Sequence, residues 1–150
     1  MRPVVDHIQI TVRDMARALP FYDALLPLLG YDLARKTEAV IEEHELHVVE
    51  YIHPSLLFAI NSPRAGLAEE HVHRRRPGSV HHLAFRVDDR TQVDALHREL
   101  VKLESLGATI VSAPREFPEY SPHGYYAVFF KDPDGIKYEI MWTPKPAAGA

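Results

Sequence analysis

The chain has 150 residues, of which 46% are hydrophobic, a formal net charge of −4 and no cysteine. This length and composition fit a single domain with a hydrophobic core, and the charge argues against binding to the phosphate backbone of nucleic acids. The lack of cysteine excludes disulfides and thiolate ligands, and no apolar run is long enough for a signal segment or a membrane span, so a cytoplasmic protein is expected.

The first half of the chain predicts one strand, one helix and three further strands. Residues 4–12 alternate between apolar and polar side chains, which is the period of a strand. Asp14 can cap a following helix, whose apolar residues recur at helical spacing until Gly30. Three strands are then predicted at residues 31–41, 44–52 and 55–61.

The second half repeats this order after a connection at residues 63–79, which is rich in charged residues, histidine, glycine and proline. A strand begins at His82 and is followed by Asp89 as a candidate cap. A helix at about 91–106 ends near Gly107. Three more strands are predicted at residues 108–112, 125–130 and 136–142.

The two halves align residue by residue, with His82 standing 75 positions after His7 (82 − 7) and Asp89 the same distance after Asp14. We therefore predict an α+β fold of two tandem βαβββ modules, at about 1–62 and 80–144, within one domain. Duplication of such a unit predicts two similar half-sheets that form a curved mixed sheet around a shared cleft, with helices on the outer face.

The last predicted strand carries a carboxylate where burial is expected. Asp-Pro-Asp-Gly at 132–135 is typical of a hairpin turn. In the strand that returns from it, alternate side chains share a face, so Glu139 lies opposite the apolar residues Ile140 and Tyr138. A carboxylate in that position needs a cation, hydrogen-bond donors or water to offset desolvation, which makes Glu139 a candidate site residue.

The repeat suggests which residues could join Glu139. His7 and His82 occupy matching positions in the first strand of each half, and each lies opposite an apolar face. Two imidazoles and a carboxylate form a facial triad with open positions for water and substrate, as suits Fe(II), Mn(II), Ni(II), Co(II) or Zn(II). We predict that His7, His82 and Glu139 bind a divalent metal ion.

The chain resembles the vicinal oxygen chelate superfamily over nearly its whole length. The similarity rests on Asp-His-Ile at 6–8, Phe-Tyr at 21–22, His-His-Leu-Ala-Phe at 81–85, and Phe-Lys-Asp-Pro-Asp-Gly at 130–135 leading to Glu139. This superfamily includes glyoxalases, extradiol dioxygenases, fosfomycin-resistance enzymes, methylmalonyl-CoA epimerases and metal-free bleomycin-binding proteins.

The resemblance implies a divalent cation held by His7, His82 and Glu139, which chelates two adjacent oxygens of a small substrate and acts as a Lewis acid. When residues 55–63 are aligned with 136–144, Phe58 stands at the position of Glu139. Bacterial glyoxalase I typically has a metal ligand at that place, so phenylalanine favours a three-ligand site. Leu56, Phe58 and Ile60 are predicted to line the cleft with Met141.

Two alternatives to a Lewis-acid isomerase or lyase stay open. An extradiol ring-cleaving dioxygenase would carry acid–base residues before the hairpin, where His123 and Tyr126 are the candidate catalytic residues, but the dioxygenase pattern expects a tyrosine at the place of Phe129. A metal-free drug- or metabolite-binding protein is the other alternative. His81 is interpreted as a residue that flanks or supports His82.

The resemblance also implies a homodimer, because short two-module members of the superfamily dimerise, sometimes by pairing modules of different chains. The metal triad is therefore expected either within one chain or between two. The expected partner is a small-molecule substrate, with neither nucleic acid nor membrane involved.

Overall fold

The computed structural model describes residues 3–71 and 73–144. The chain divides into two compact units, Met1–His71 and Val72–Ala150. Each contains one helix and one four-stranded mixed sheet, so the tandem βαβββ modules predicted from the sequence are confirmed. No helix in the described ranges is long and apolar enough to cross a membrane.

The first module has its strands in the spatial order β1-β4-β3-β2. Strand β1 runs parallel to β4, and the other neighbouring pairs are antiparallel. The side chains of Phe21, Tyr22 and Leu26 in the helix are fully buried. The elements are β1 (His7–Thr11), α1 (Met15–Leu28), β2 (Asp32–Ile41), β3 (Leu46–Ile52) and β4 (Leu57–Asn61).

The second module repeats this topology with the order β5-β8-β7-β6, in which β5 is parallel to β8. Its central strands β7 and β8 are the most buried. The elements are β5 (Leu83–Arg86), α2 (Arg90–Lys102), β6 (Thr109–Glu116), β7 (Tyr126–Lys131) and β8 (Lys137–Trp142).

Both helices begin at the caps predicted for them. The Asp14 carboxylate accepts a hydrogen bond of 2.8 Å from the Ala16 N–H, and that of Asp89 accepts one of 2.9 Å from the Gln92 N–H. A carboxylate at this position satisfies backbone N–H groups that have no partner within the helix. The sequence signals at 14 and 89 therefore fix where each crossover from strand to helix occurs.

The strand register corrects the alignment of the two modules. Glu139 pairs with Ala84, which lies two residues after His82, and the residue two after His7 pairs with Ala59. Ala59, rather than Phe58, thus occupies the place of Glu139 in the first module. A slip of one residue moves a side chain to the other face of the sheet, and Phe58 indeed packs against Tyr22 of α1, 5.9 Å between ring centroids.

This correction also shows that Leu56, Phe58 and Ile60 were wrongly predicted to share a face with Met141. The residues that match Glu139 and Met141 are Ala59 and Asn61. Alanine cannot coordinate a metal any more than phenylalanine can. The position that matches Glu139 in the first module is therefore still held by a residue that cannot coordinate a metal, but this residue is Ala59 rather than Phe58.

Strand β6 is longer than predicted, since it continues past Pro114 to Glu116. Proline has no N–H to donate, so it is tolerated in strands at the edge of a sheet. β6 is such an edge strand, and its pairing with β7 shifts register between Ser112 and Arg115. The predicted strand ended at residue 112, whereas the observed strand continues through this irregular edge, with Pro114 inside it.

Gly107, which ends the short 3-10 turn after α2, provides a test of this local structure. Its φ is +96°, and a Cβ there would lie 3.1 Å from the Pro133 side chain, whereas Gly135 has a similar φ of +89° with nothing within 4 Å. We expect Gly107→Ala to lower the free energy of unfolding by about 2–4 kcal/mol, because strain and overpacking combine, and Gly135→Ala by about 1 kcal/mol. Urea unfolding measures both; equal losses would contradict the steric contribution.

Candidate functional site

The candidate site lies on the face of β8 that points away from α2. Glu139 pairs with Phe129 of β7 and Ala84 of β5, so it sits in an inner strand of the sheet. Only 1% of its surface is exposed. A carboxylate so buried requires hydrogen-bond donors or positive charge nearby.

Two side chains meet the carboxylate of Glu139. The Tyr125 hydroxyl donates a hydrogen bond of 2.6 Å to Oε1. The Nε2 atom of His82 lies 3.2 Å from Oε2, and the His82 side chain is one-third exposed. Each oxygen of the carboxylate therefore has its own neighbour, one a phenol and the other an imidazole.

The contacts continue from His82 away from the carboxylate. His81 Nδ1 lies 2.7 Å from His82 Nδ1, and Arg74 Nε donates a hydrogen bond of 3.3 Å to His81 Nε2. Arg74 cannot accept a hydrogen bond, so it must be the donor at the outer end of this series of hydrogen bonds, and its donation sets the direction of the others. Partial desolvation, the neighbouring His82 and the positive charge of Arg74 lower the pKa of His81, which favours its neutral form.

Burial is also the main reason that the pKa of Tyr125 lies above its ordinary value of 10.0, and the hydrogen bond and negative charge of Glu139 raise it further. Tyr125 is therefore a hydroxyl donor at neutral pH rather than a phenolate. The pKa of Lys137 is lowered, first by partial desolvation and then by the charge of Arg74.

A pocket of about 370 Å³ opens over Glu139. Its surface combines imidazoles, aromatic rings and one ammonium group. The ring of Tyr120 lies 5.4 Å from that of Tyr125, and Lys137 Nζ lies 4.0 Å from the centre of the Phe129 ring. Beside Glu139, the lining residues are His81, His82, Tyr120, Tyr125, Phe129 and Lys137.

Of the three predicted metal ligands, the structure brings together His82 and Glu139. His7 lies at the start of β1 in the other module, with its Nδ1 3.1 Å from the carboxylate of Asp6. Within either module, the described residues include no group of three or more histidine, aspartate or glutamate side chains arranged to hold a metal ion. The role of His7 as a third ligand stays a prediction.

The two predicted catalytic residues do not line this pocket. The hydroxyl of Tyr126 donates a hydrogen bond of 2.8 Å to Asp94 of α2, on the opposite face of the sheet from Glu139. His123 lies in an exposed turn, where its backbone N–H donates to the Ser121 hydroxyl. Their catalytic roles stay predictions that these positions do not favour.

Sequence reasoning chose Tyr126 where the structure presents Tyr125, and it did not single out Lys137 as a pocket residue. The register of the hairpin is the feature that assigns these residues to one face or the other. Once Phe129 pairs with Glu139, alternation places Tyr125 on the same face as Glu139 and Tyr126 on the helix side. Lys137, two residues before Glu139, shares its face for the same reason.

The whole-chain comparison agrees with this fold and its duplicated strands. The model of the Glyoxalase/Bleomycin resistance protein/Dioxygenase superfamily matches residues 4–140. The chain belongs to this superfamily. Membership places it among proteins that include glyoxalases and dioxygenases, and it accounts for the two βαβββ modules.

Individual relatives are similar over nearly their whole length. The Bacillus subtilis (strain 168) protein called "Uncharacterized protein YqjT" is 31% identical over 139 residues, which are 90% of this chain and 95% of that protein. A putative glyoxalase from Bacillus halodurans is 26% identical with a TM-score of 0.70, covering 94% of this chain and 96% of its own. A glyoxylase/bleomycin resistance protein/dioxygenase domain from Frankia sp. EAN1pec, at 22% identity, has a TM-score of 0.71, covers 96% of this chain and 100% of its own, and shows the fold alone.

The two tyrosines next to each other in β7 offer an internal test of the site's electrostatics. We expect Glu139→Gln to lower the pKa of Tyr125 towards 10.0 without reaching it, because the charge is lost while burial persists. Asp94→Asn should instead lower the pKa of Tyr126, whose elevation comes first from its hydrogen bond to Asp94. NMR titration of protein labelled at the tyrosine ring carbons measures both; a Tyr125 titration unchanged by Glu139→Gln would contradict the described contact.

Proposed function

We propose that the protein is a metal-dependent enzyme of this superfamily that acts on a small molecule with two adjacent oxygen atoms. The observation that carries the proposal is the pairing of His82 Nε2 with the buried carboxylate of Glu139 at the base of a pocket. A buried carboxylate that meets a partly exposed imidazole at a cavity, rather than within the packed core, is typical of a functional site.

The geometry of this pair fits a divalent cation. Bond lengths from such a cation to imidazole nitrogen and carboxylate oxygen are about 2.0–2.2 Å, so two ligands at right angles lie about 3.0 Å apart. Nε2 of His82 and Oε2 of Glu139 are separated by 3.2 Å. Both atoms are of the type that Fe(II), Mn(II), Ni(II), Co(II) and Zn(II) accept.

His82, Glu139 and, as the proposed third ligand, His7 would hold the cation. When bound, it would supply Lewis-acid polarisation of the two substrate oxygens. Tyr125 fixes the rotamer of Glu139 through its bond to Oε1, which leaves Oε2 directed at His82. A supporting hydrogen bond of this kind restricts the ligand to one orientation.

The hydrogen-bond chain specifies where the histidine protons lie. With Arg74 donating to His81 Nε2, the His81 proton is on Nδ1 and is donated to His82 Nδ1, which leaves a proton on His82 Nε2 to donate to Glu139. An Nε2 atom that coordinates a cation carries no proton. If His82 held the cation through Nε2, its proton would lie on Nδ1 and be donated to His81 Nδ1, and His81 would carry its proton on Nε2, where it would no longer accept from Arg74.

The same contacts favour a second candidate, a metal-free binding protein. Both oxygens of Glu139 already have a polar neighbour in the chain itself, Tyr125 and His82. Such a protein would use the aromatic pocket to hold a drug or metabolite. The ring-cleaving dioxygenase alternative gains less support, because Phe129, which lies beside His82 in the pocket, has no hydroxyl group.

Metal retention distinguishes these candidates. Protein stripped with chelator and reconstituted anaerobically with Fe(II), Mn(II), Ni(II), Co(II) or Zn(II) should keep about one cation per chain after desalting, measured by elemental analysis. Loss of a ligand in Glu139→Gln or His82→Gln should weaken retention at least about tenfold, as even loss of a supporting residue does in metal sites.

His47→Gln provides the matched control. His47 Nε2 also lies close to a carboxylate, 2.6 Å from Glu38 Oε1, but that pair belongs to an exposed surface of the first module. Its substitution should leave retention unchanged, and His7→Gln should weaken it if His7 is the third ligand. Failure of the parent protein to keep any of the five metals would overturn the metal-dependent function and favour the binding protein.

A further inference from the structure

We propose that the pocket over Glu139 selects small organic anions with a flat aromatic or apolar body, and that Lys137 is the residue that recognises their negative charge. The inference deepens the proposed function and rests on it only in taking this pocket as the substrate site. It is argued from the charges and rings that line the cavity.

The first step concerns the charge balance of the pocket. Its lining contains one carboxylate, Glu139, which already accepts from Tyr125 and lies against His82. Lys137 forms no ion pair with a carboxylate in the described part of its module, residues 73–144, and the charge of Glu139 acts on it without a direct contact. Its ammonium group instead lies over the face of Phe129, at 4.0 Å from the ring centre.

A lysine in this position retains most of its capacity to bind an anion. A cation–π contact over phenylalanine is weak and occupies none of the three N–H donors of the ammonium group in a conventional hydrogen bond. The guanidinium of Arg74 adds positive charge at the same side, since it binds the pocket residue His81. An incoming carboxylate would therefore be attracted by two cationic groups, Lys137 in the lining and Arg74 beside it.

The second step concerns the body of the ligand. The wall of the pocket is a chain of aromatic rings in which Tyr120, 58% exposed, lies edge-to-face with Tyr125, with an interplanar angle of 84°. Tyr120 is held in place by stacking on Phe117, at 5.3 Å and 4°. Flat exposed rings at the mouth of a cavity favour flat apolar ligands, and about 370 Å³ accommodates one or two fused rings with a short substituent.

The same residues also explain why charge recognition belongs to the second module. The position that matches Lys137 in the first module is Leu57, because Leu57 precedes Ala59 as Lys137 precedes Glu139. The face of β4 therefore lacks the ammonium group. The two sheets are similar, but at this position the second has the ammonium group of Lys137 and the first has Leu57.

Binding of 1-naphthoate and its neutral analogue 1-naphthamide tests the proposal. Isothermal titration of the chelator-treated protein should give at least tenfold tighter binding for the carboxylate. Lys137→Met, which keeps an unbranched side chain that is one atom shorter, should weaken 1-naphthoate about tenfold and change 1-naphthamide less than twofold, because a charged hydrogen bond is lost while the apolar contact stays. Lys137→Arg should retain the preference.

Lys102→Met is the control for overall charge. Lys102 pairs with Glu99 at the end of α2, and that helix packs on the other face of the sheet, so both ligands should bind as they do to the parent protein. NMR shift changes at Tyr120, Phe129 and Lys137 should locate the bound ring. The proposal is overturned if neither ligand binds, if both bind equally, if Lys137→Met has no effect, or if the shifts map elsewhere.

The measurement is made without metal, so its outcome is separate from that of metal retention. Anion preference without retention would leave a metal-free protein that binds organic anions. Retention without anion preference would leave the metal-dependent function and remove Lys137 as its specificity residue.

Discussion

Burial of one carboxylate determines how the second module is built around its pocket. Glu139 is 1% exposed in an inner strand, and an ionised group in such surroundings is stable only with donors or positive charge at close range. Tyr125 and His82 meet this need from two neighbouring strands or strand ends. His82 is itself fixed through His81, so the ordering extends to Arg74 at the surface. The site is held by a line of side chains from solvent to the buried oxygen.

With both histidines neutral and Arg74 donating to His81, every hydrogen bond of that line points inward from Arg74 to Glu139. A cation held by His82 Nε2 would require the reverse direction, in which His82 donates outward to His81 and Arg74 no longer donates to His81. The proposed metal site and the proposed anion preference therefore share Arg74, whose hydrogen bond reaches His81 and whose positive charge acts on Lys137.

Much of this fold could be predicted from periodicity and caps, whereas the faces of the strands could not all be assigned. Alternation and the caps at Asp14 and Asp89 gave both βαβββ units. The repeat alignment, however, followed sequence letters through two loops of different length, which placed Phe58 opposite Glu139 instead of Ala59. One residue of slip exchanges the two faces of a strand, and the choice of Tyr126 over Tyr125 likewise depended on a face. Hairpin register, which fixes those faces, is set by pairing between strands and is not visible in a single strand's pattern.

The two modules carry different side chains at matching positions of β4 and β8. Where β8 carries Glu139 and Met141, β4 carries Ala59 and Asn61. Asn61 accepts from Gln9 and donates to Thr11, so this face of the first module holds a neutral amide network with its hydrogen bonds satisfied. Such a network offers little attraction to a cation. The coordinating groups proposed for the protein are therefore unequally divided, with two in the second module and His7 alone in the first. The side chains at matching strand positions, rather than the fold itself, make this difference.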